Sequence, residues 1–214
     1  MDYKPIFYDS DVLVCFLEIN EYAFLQKLFS KIILPEKVYD ELTRKRTPKL
    51  IKDNLNYLIK QNFVEIKEIE FTSREYVNYN CISKGFWSKN GEKIGSGESS
   101  TIALAIENNG IVASNNLKDI EYICYDFNIP IITAPILLAF AFELKIYSKC
   151  QVNQIWKNIL NNTYQKLPKQ TFDEYYEELF QKDCKILLKD YDLERNMKLT
   201  NINDNKFKDK NFSN

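Results

Sequence analysis

The pattern that most limits the fold of this chain is a repeated alternation of short apolar runs with longer helical patterns. Four of the runs each begin with isoleucine: Ile6–Tyr8, Ile32–Leu34, Ile111–Ala113 and Ile129–Thr133. A fifth run, Phe63–Ile69, alternates apolar with charged residues, as a half-exposed edge strand does. Strands separated by helical segments are typical of βαβ units, whose strands pair in parallel. The sequence therefore predicts an α/β domain with a central, mainly parallel sheet.

The alternation stops near Cys150, which divides the chain into a domain and an appendage. With 214 residues, 45% of them hydrophobic, the chain is long enough for one full α/β domain and little more. Two helical patterns follow with no strand between them, at Val152–Leu160 and Thr171–Leu188. From about Arg195 few apolar residues remain. We predict an α/β domain over residues 1–148, a helical extension over 149–192 and a disordered tail over 193–214.

Composition excludes several kinds of catalysis. The chain contains no histidine, so Ser-His-Asp and Cys-His catalysis and histidine-ligated zinc are not available to it. The 5 cysteines are widely spaced without a CxxC pair, which predicts buried thiols in a reducing compartment. The formal net charge of -1 provides no general attraction for nucleic acid or membranes, so any contact with nucleic acid would be local.

The sequence also predicts a soluble, cytoplasmic protein with no membrane partner. The N-terminus lacks the basic and apolar regions of a signal peptide. The most apolar segment, Ile129–Phe142, is interrupted by Pro130 and Pro135 and is followed by Glu143 and Lys145. We expect this segment to be too short and too interrupted to cross a bilayer.

Four acidic residues share one predicted location, the edge of the sheet where the strands end. Asp9 ends the first strand, and Asp119 follows the Ile111–Ala113 strand in a loop that turns into a helix. Glu98 opens the helix that leads into that strand, and Glu41 lies two helical turns after the second strand. Ligands of open α/β sheets bind at this edge. Each acid alone is ordinary, but their shared location predicts a cleft with four carboxylates.

Four carboxylates in one cleft need a counter-charge, because they repel each other and are costly to bury unpaired. The usual solution is a divalent ion that prefers oxygen ligands, Mg²⁺ or Mn²⁺. Such an ion lowers the pKa of a bound water molecule and binds phosphodiester oxygens. The acids therefore predict a metal site that could hydrolyse phosphodiesters without histidine.

IFYDSDVLVCFL and PEKVYDEL, both in the first fifty residues, resemble the first two motifs of the PIN-domain family, ribonucleases that include VapC-type toxins. IFYDSDVLVCFL resembles the opening strand of the family, in which an aspartate, a small hydroxyl residue and a further polar residue precede an apolar pair. Asp9, Ser10 and Asp11 fill those three polar positions. PEKVYDEL resembles the second motif, with Glu41 as its acid.

Two later motifs extend the resemblance in the order of the family, over about residues 4–145. GSGESSTIALA is similar to the third motif in PIN branches that use a glutamate, here Glu98, where many toxins have an aspartate. VASNNLKDI resembles the fourth motif, with Ser114, Asn116 and Asp119 in its polar positions. Other PIN branches place the fourth acid where this chain has Asn116. The choice between Asn116 and Asp119 is therefore open.

The resemblance implies a three-layer PIN-like α/β fold, with the C-terminal helical extension outside it. It also implies a metal-dependent endoribonuclease that acts on RNA, in which Asp9, Glu98 and Asp119 hold Mg²⁺ or Mn²⁺. Glu41 would be the fourth catalytic acid, and Ser10 and Asn116 would support the site by hydrogen bonding. Further expectations from the family are a toxin role, with an antitoxin protein as partner, and a homodimer.

Three other features have two interpretations each. The basic cluster Arg44, Lys45 and Arg46 could bind the RNA backbone or simply complement the end of a helix. The aromatic and lysine residues of Tyr76–Lys93 could stack bases, but we interpret them as a lid or packing loop. Asp11 could contribute outer hydrogen bonds to the site or only cap the following helix.

The alternative to an enzyme is a non-catalytic module that binds nucleic acid or protein on a PIN scaffold. The neutral net charge and the Asn116 position motivate this alternative. A nucleotide-binding Rossmann enzyme is a poorer interpretation, because no GxGxxG follows the first strand.

Overall fold

A computed structural model describes residues 4–88, 90–189 and 191–193 of the chain. Its centre is a five-stranded parallel sheet with strand order β3-β2-β1-β4-β5. The strands are β1 (Ile6–Tyr8), β2 (Ile32–Pro35), β3 (Val64–Lys67), β4 (Ile111–Ala113) and β5 (Ile131–Ile132). The sheet and its flanking helices confirm the predicted three-layer PIN-like α/β fold.

Eleven helices are present in the described residues, and most of them connect the strands. The helices before β4 are α1 (Ser10–Leu17), α2 (Leu25–Leu28), α3 (Glu36–Thr43), α4 (Lys49–Lys60), α5 (Arg74–Ser83) and α6 (Ser96–Glu107). The later helices are α7 (Leu117–Asp126), α8 (Ala134–Glu143), α9 (Lys149–Asn162), α10 (Phe172–Glu178) and α11 (Phe180–Leu187). None of the helices in this part of the chain combines the length and the apolar character that a bilayer crossing requires.

The strand order reverses between β1 and β4. The chain adds β2 and β3 on one side of β1 and then returns to add β4 and β5 on the other. Phe7 of β1 is in register with Ile33 on one side and Val112 on the other, and β1 is buried along its whole length. The crevice at such a reversal is the usual ligand site of open α/β sheets. Asp9 directly follows β1 and Ser114 directly follows β4, so both residues lie at this point.

Helix α6 packs across β1, β2 and β4 and carries small residues in its first turns. Its first turns are buried, so the hydroxyl groups there need internal partners. Ser100 Oγ and Thr101 Oγ1 donate to Gly97 O at 2.7 and 3.0 Å, and Ser99 Oγ donates to Ile94 O at 3.3 Å. These bonds hold the N-terminus of α6, and with it Glu98, in a defined position.

Close backbone packing determines where α6 ends. The helix stops at Glu107, and Asn109 has a φ of 48°, a left-handed conformation that asparagine tolerates. A Cβ on Gly110 would lie 2.6 Å from the ring of Phe7, so only glycine fits there. The chain can therefore turn directly into β4 beside β1.

The helical extension packs on α8 through aromatic side chains. The segment with a helical pattern over Thr171–Leu188 forms two helices, α10 and α11, which are separated at Leu179. This break lets Tyr176 pack on Phe142 at 5.2 Å while Phe180 packs on Phe140 at 5.8 Å. Most of the predicted tail, residues 194–214, lies outside the described residues.

Candidate functional site

Asp9 occupies the turn between β1 and α1. Its backbone N–H donates to Ala113 O at 2.9 Å, and its Oδ1 accepts the N–H of Ser10 at 2.7 Å as the N-cap of α1. The residue is only 3% exposed. Burial raises the pKa of this carboxyl group well above its ordinary range, and the nearby charges of Asp11, Glu98 and Glu41 raise it further. A negative charge at Asp9 therefore requires a cation or another source of compensation.

Asp11 joins the start of α1 to the end of β4. Its Oδ2 accepts the backbone N–H of Asn115 at 2.8 Å and the hydroxyl of Ser114 at 3.3 Å. The same Ser114 Oγ lies 3.4 Å from Asp9 Oδ2, so one hydroxyl connects the two carboxylates. Burial raises the pKa of Asp11 to about 6, although its hydrogen bonds oppose this shift.

Glu98 and Asp119 are connected by the side-chain amide of Asn116. Asn116 Nδ2 donates to Glu98 Oε1 in a short contact and to Asp119 Oδ2 at 2.8 Å. The other oxygen of Glu98 accepts the N–H of Gly95 at 3.2 Å, which caps α6. Burial raises the pKa of Glu98, and the charge of Asp119 adds to this effect. The amide lies between these two acids and donates to both.

Glu41 contacts the first turn of α6 from α3. Its Oε1 accepts the hydroxyl of Ser96 at 3.3 Å. A Cβ on Gly97 would lie 3.0 Å from Glu41 Oε2, so the glycine leaves room for the carboxylate. The hydrogen bond and the missing side chain together set the position of Glu41 beside Glu98.

The four predicted acids come together to different degrees. Glu41 and Glu98 act electrostatically on Asp9, so these three form the inner group. Asp119 is exposed and connects to that group through Asn116. Ser10 supports Asp9 with its backbone N–H.

The predicted basic cluster begins three residues after Glu41 in the chain, and the Arg44 N–H donates to Glu41 O at 3.4 Å. Arg44, Lys45 and Arg46 are exposed and follow α3. None of them forms an ion pair with an acid among the described residues. Their role in binding nucleic acid stays a prediction.

Two further residues contribute to the site. Asp11 has the roles that its two interpretations describe, since its carboxylate accepts from Val12 N–H at the start of α1 and from Ser114 and Asn115 across the site. Asn115 was not predicted at all. It accepts the N–H of Ala134 at 2.9 Å and donates to Cys15 Sγ at 3.4 Å, and both partners are distant in sequence.

The chemistry of the site fits a divalent cation with oxygen ligands. No lysine or arginine in the described part of the chain forms an ion pair with Asp9, Asp11, Glu41 or Glu98. All the donor atoms are carboxylate, amide or hydroxyl oxygens, which suit Mg²⁺ or Mn²⁺. Within the described residues, no three acids or thiols are already arranged closely enough to hold an ion. Binding would therefore require side-chain movement, most directly that of the Asn116 amide.

The fold and the site define an α/β protein that gathers carboxylates where the strand order of its parallel sheet reverses. A family model described as "DUF3368: PIN domain" matches residues 5–115, just over half of the 214-residue chain. The chain belongs to the PIN-domain family, whose members are generally nucleases. The match includes Asp9, Glu41 and Glu98 and ends before Asn116 and Asp119. A search of curated proteins found no match to the chain.

Proposed function

We propose that this protein is a metal-dependent endoribonuclease of the PIN type. The observation that carries the proposal is the buried Asp9 carboxylate, surrounded by Asp11, Glu41 and Glu98 without a described basic partner. Such an arrangement is costly unless a cation joins it. Membership of a family of nucleases supports the assignment of that cation to phosphodiester hydrolysis.

Asp9, Glu98 and Asp119 would hold Mg²⁺ or Mn²⁺ in this proposal. A bound divalent ion supplies Lewis-acid activation of water and neutralises charge on the phosphodiester. The Ser10 N–H and the Ser114 hydroxyl both contact the Asp9 carboxylate and restrict its orientation, which supports this role. Glu98 Oε2 accepts the N–H of Gly95, which orients the side chain. Only Glu98 Oε1 would have to give up its present partner, the Asn116 amide, to contact the ion.

Glu41, Ser10 and Asn116 would complete and support the pocket. Glu41 adds a fourth negative charge from α3 and is oriented by Ser96. The N–H of Ser10 fixes the rotamer of Asp9. Rotation of the Asn116 amide about its χ2 bond would present an oxygen in place of the two donors that now connect Glu98 and Asp119.

The direct test is cleavage of single-stranded RNA by the purified protein. We expect cleavage with Mn²⁺ or Mg²⁺, none with EDTA, and none by the Asp9→Asn variant with either ion. Asp53→Asn, which changes an exposed aspartate of α4, is the matched control and should cleave normally. Activity that survives in Asp9→Asn, or that is lost equally in Asp53→Asn, would contradict the proposal.

A second candidate is a non-catalytic binding module on the PIN scaffold. The contact that favours it is the Asn116 amide, which satisfies Glu98 and Asp119 without any ion. Calorimetry with Mn²⁺ separates the two candidates. Heat of binding at micromolar to millimolar Mn²⁺ that disappears in Asp9→Asn supports the enzyme, and no binding in this range supports the module.

The toxin role is a narrower proposal that depends on ribonuclease activity. Family resemblance is its only support. Expression of the wild-type chain should arrest growth of the host, and expression of Asp9→Asn should not. An antitoxin would co-purify with the chain from its native host and restore growth, whereas harmless expression of an active nuclease would contradict the toxin role.

A further inference from the structure

An open groove begins at Asp119 and runs along α7 away from the acidic site. Its first part has a volume of about 220 Å³ and is bounded by Lys93, Lys118, Asp119 and Tyr122. Its second part, of about 320 Å³, is bounded by Phe86, Trp87, Tyr122 and Phe127. Because Ser88, Tyr122 and Ile123 border both parts, the two form one continuous groove that reaches the rim of the site.

The far part of the groove is lined by aromatic rings that are accessible from outside. Phe86 is 72% exposed, Tyr122 is 45% exposed and Phe127 is 41% exposed. Trp87 packs on Phe127 with ring centroids 4.8 Å apart. Large aromatic rings gathered on one open surface are more typical of a binding site than of a monomer surface that stays in water.

The loop that carries Phe86 and Trp87 is held in place by its own backbone. Gly85 N donates to Ile82 O at 2.9 Å and Phe86 N donates to Cys81 O at 2.9 Å, which anchors the loop to the end of α5. Gly85 has a φ of 79°, and a Cβ on it would lie 2.5 Å from Gly91 O. Gly85 and Gly91 therefore lie in close contact, next to the two residues that carry the aromatic rings.

The charges of the groove are divided along its length. Lys93 and Lys118 are exposed beside Asp119 and form no ion pair with another described residue. Glu92 and Asp119 border the same first part of the groove, so the charges there are balanced, and Asp126 borders the second part. Phosphates would therefore contact the two lysine side chains directly, and uncharged bases would lie against Tyr122 and Phe86.

We propose that this groove binds the bases of a single-stranded nucleic acid next to the phosphodiester that the acidic site would receive. The inference rests on the proposed function for the position of that phosphodiester. Base stacking on Phe86 and Tyr122 supplies affinity without sequence selectivity, and Lys93 and Lys118 contact the adjacent phosphates. A duplex is rejected, because paired bases do not offer their faces to aromatic side chains.

The test measures binding of a short single-stranded RNA without cleavage. The protein carries Asp9→Asn and is kept in EDTA, and binding is followed by anisotropy of a labelled RNA. Phe86→Ala and Tyr122→Ala should each weaken binding roughly 5- to 160-fold, the range found for base–aromatic stacking. Lys118→Ala should reduce the slope of log affinity against log salt by about 0.7.

Matched controls come from exposed residues outside the groove. Tyr57→Ala removes a tyrosine of α4 that is 49% exposed, and Lys157→Ala removes an exposed lysine of α9. Neither should change RNA affinity or its salt dependence. Quenching of Trp87 fluorescence by RNA should disappear in Trp87→Phe, because the other tryptophan, Trp156, is fully buried.

The outcomes separate this inference from the proposed function. Cleavage by wild-type protein with RNA affinity unchanged in Phe86→Ala and Tyr122→Ala overturns the groove and leaves the nuclease intact. Loss of affinity in those variants without any cleavage by wild-type protein supports the groove and contradicts the nuclease. Binding of duplex RNA as tightly as single-stranded RNA would overturn the proposal for the groove. The proposal would also be overturned by a protein partner whose binding is lost in these variants while RNA binding persists.

Discussion

Gly97 lies so close to Glu41 that a Cβ on the glycine would stand 3.0 Å from Glu41 Oε2. The same Cβ would lie 3.3 Å from Cγ2 of Val38, also on α3. The missing side chain therefore lets α3 and α6 approach each other with a carboxylate between them. This contact is the clearest case in which packing, and not charge, determines the position of a site residue.

Gly97→Ala is expected to reduce activity without unfolding the protein. The added methyl group pushes the flexible Glu41 carboxylate aside by a few tenths of an ångström. Alanine favours the helix by up to about 1 kcal/mol, which offsets the crowding. We expect RNA cleavage to fall by about tenfold, as for other residues that orient a metal site, with a melting temperature close to wild type. Full activity in this variant would show that the position of Glu41 does not matter.

Stability without divalent ions should decrease as the pH rises. Asp11 titrates near 3.8 in the unfolded chain and at about 6 in the folded protein. Between these values the folded state holds a proton that the unfolded state has lost, so the free energy of unfolding falls as pH increases. The change is on the order of 3 kcal/mol for Asp11 alone. Urea denaturation in EDTA across this range measures it.

The quantity to compare with a control variant is the slope of the free energy of unfolding against pH, not the free energy itself. Asp11→Asn removes one titrating group and should flatten the dependence, even though the new amide has a single oxygen and can accept only one of the Val12 and Asn115 N–H groups. Millimolar Mn²⁺ should oppose the loss of stability at higher pH in the wild-type protein. A stability that rises from pH 4 to pH 6 in EDTA would contradict the raised pKa of Asp11.

Asn116→Asp is expected to lower the stability of the metal-free protein and to raise its affinity for the metal ion. The change replaces two hydrogen-bond donors to Glu98 and Asp119 with a third negative charge. The metal-free protein should lose about 1–3 kcal/mol. The affinity for Mn²⁺ measured by calorimetry should rise, because the site gains an anionic ligand. Unchanged affinity would indicate that residue 116 lies outside the metal site.

Asn115 is expected to stabilise the fold. Its Oδ1 accepts the N–H of Ala134 at the start of α8, so Asn115→Ala leaves that buried group without its partner. We expect a loss of about 1–3 kcal/mol in the free energy of unfolding. Asn158→Ala, on the outer helix α9, is the comparison and should change it by less than about 0.5 kcal/mol. Equal effects of the two changes would contradict this role.

The helical extension should unfold together with the sheet domain. Trp156 is fully buried, donates Nε1 to Lys169 O at 3.1 Å and packs on Phe172. Phe172 in turn contacts Phe142 of α8, which connects the extension to the sheet domain. Trp156→Ala should therefore lower the free energy of unfolding by about 3–5 kcal/mol, and the variant should still unfold in a single transition. Tyr164→Ala, at a fully exposed position, should have no effect. Two separate transitions would show that the extension folds independently.

Local patterns in the sequence were sufficient to predict the strands and the location of the acids. Each buried strand begins with isoleucine, and its burial leaves a short apolar run that is visible in the sequence. Asp9 could be predicted because it immediately follows such a run. The break at Leu179 could not be predicted, because both sides of it have the same helical spacing and only packing on α8 separates them.

The sequence by itself determined which side of the sheet carries the acids, since parallel strands all end on the same side. Only the tertiary structure decided how those acids are connected. Ser114 contacts both Asp9 and Asp11, which precede it by more than 100 positions in the chain, and Asn116 joins Glu98 to Asp119. The physical reason is the range of the forces involved. Strand and helix patterns depend on neighbours in sequence, whereas hydrogen bonds and the burial that shifts a pKa depend on whichever groups the fold brings together.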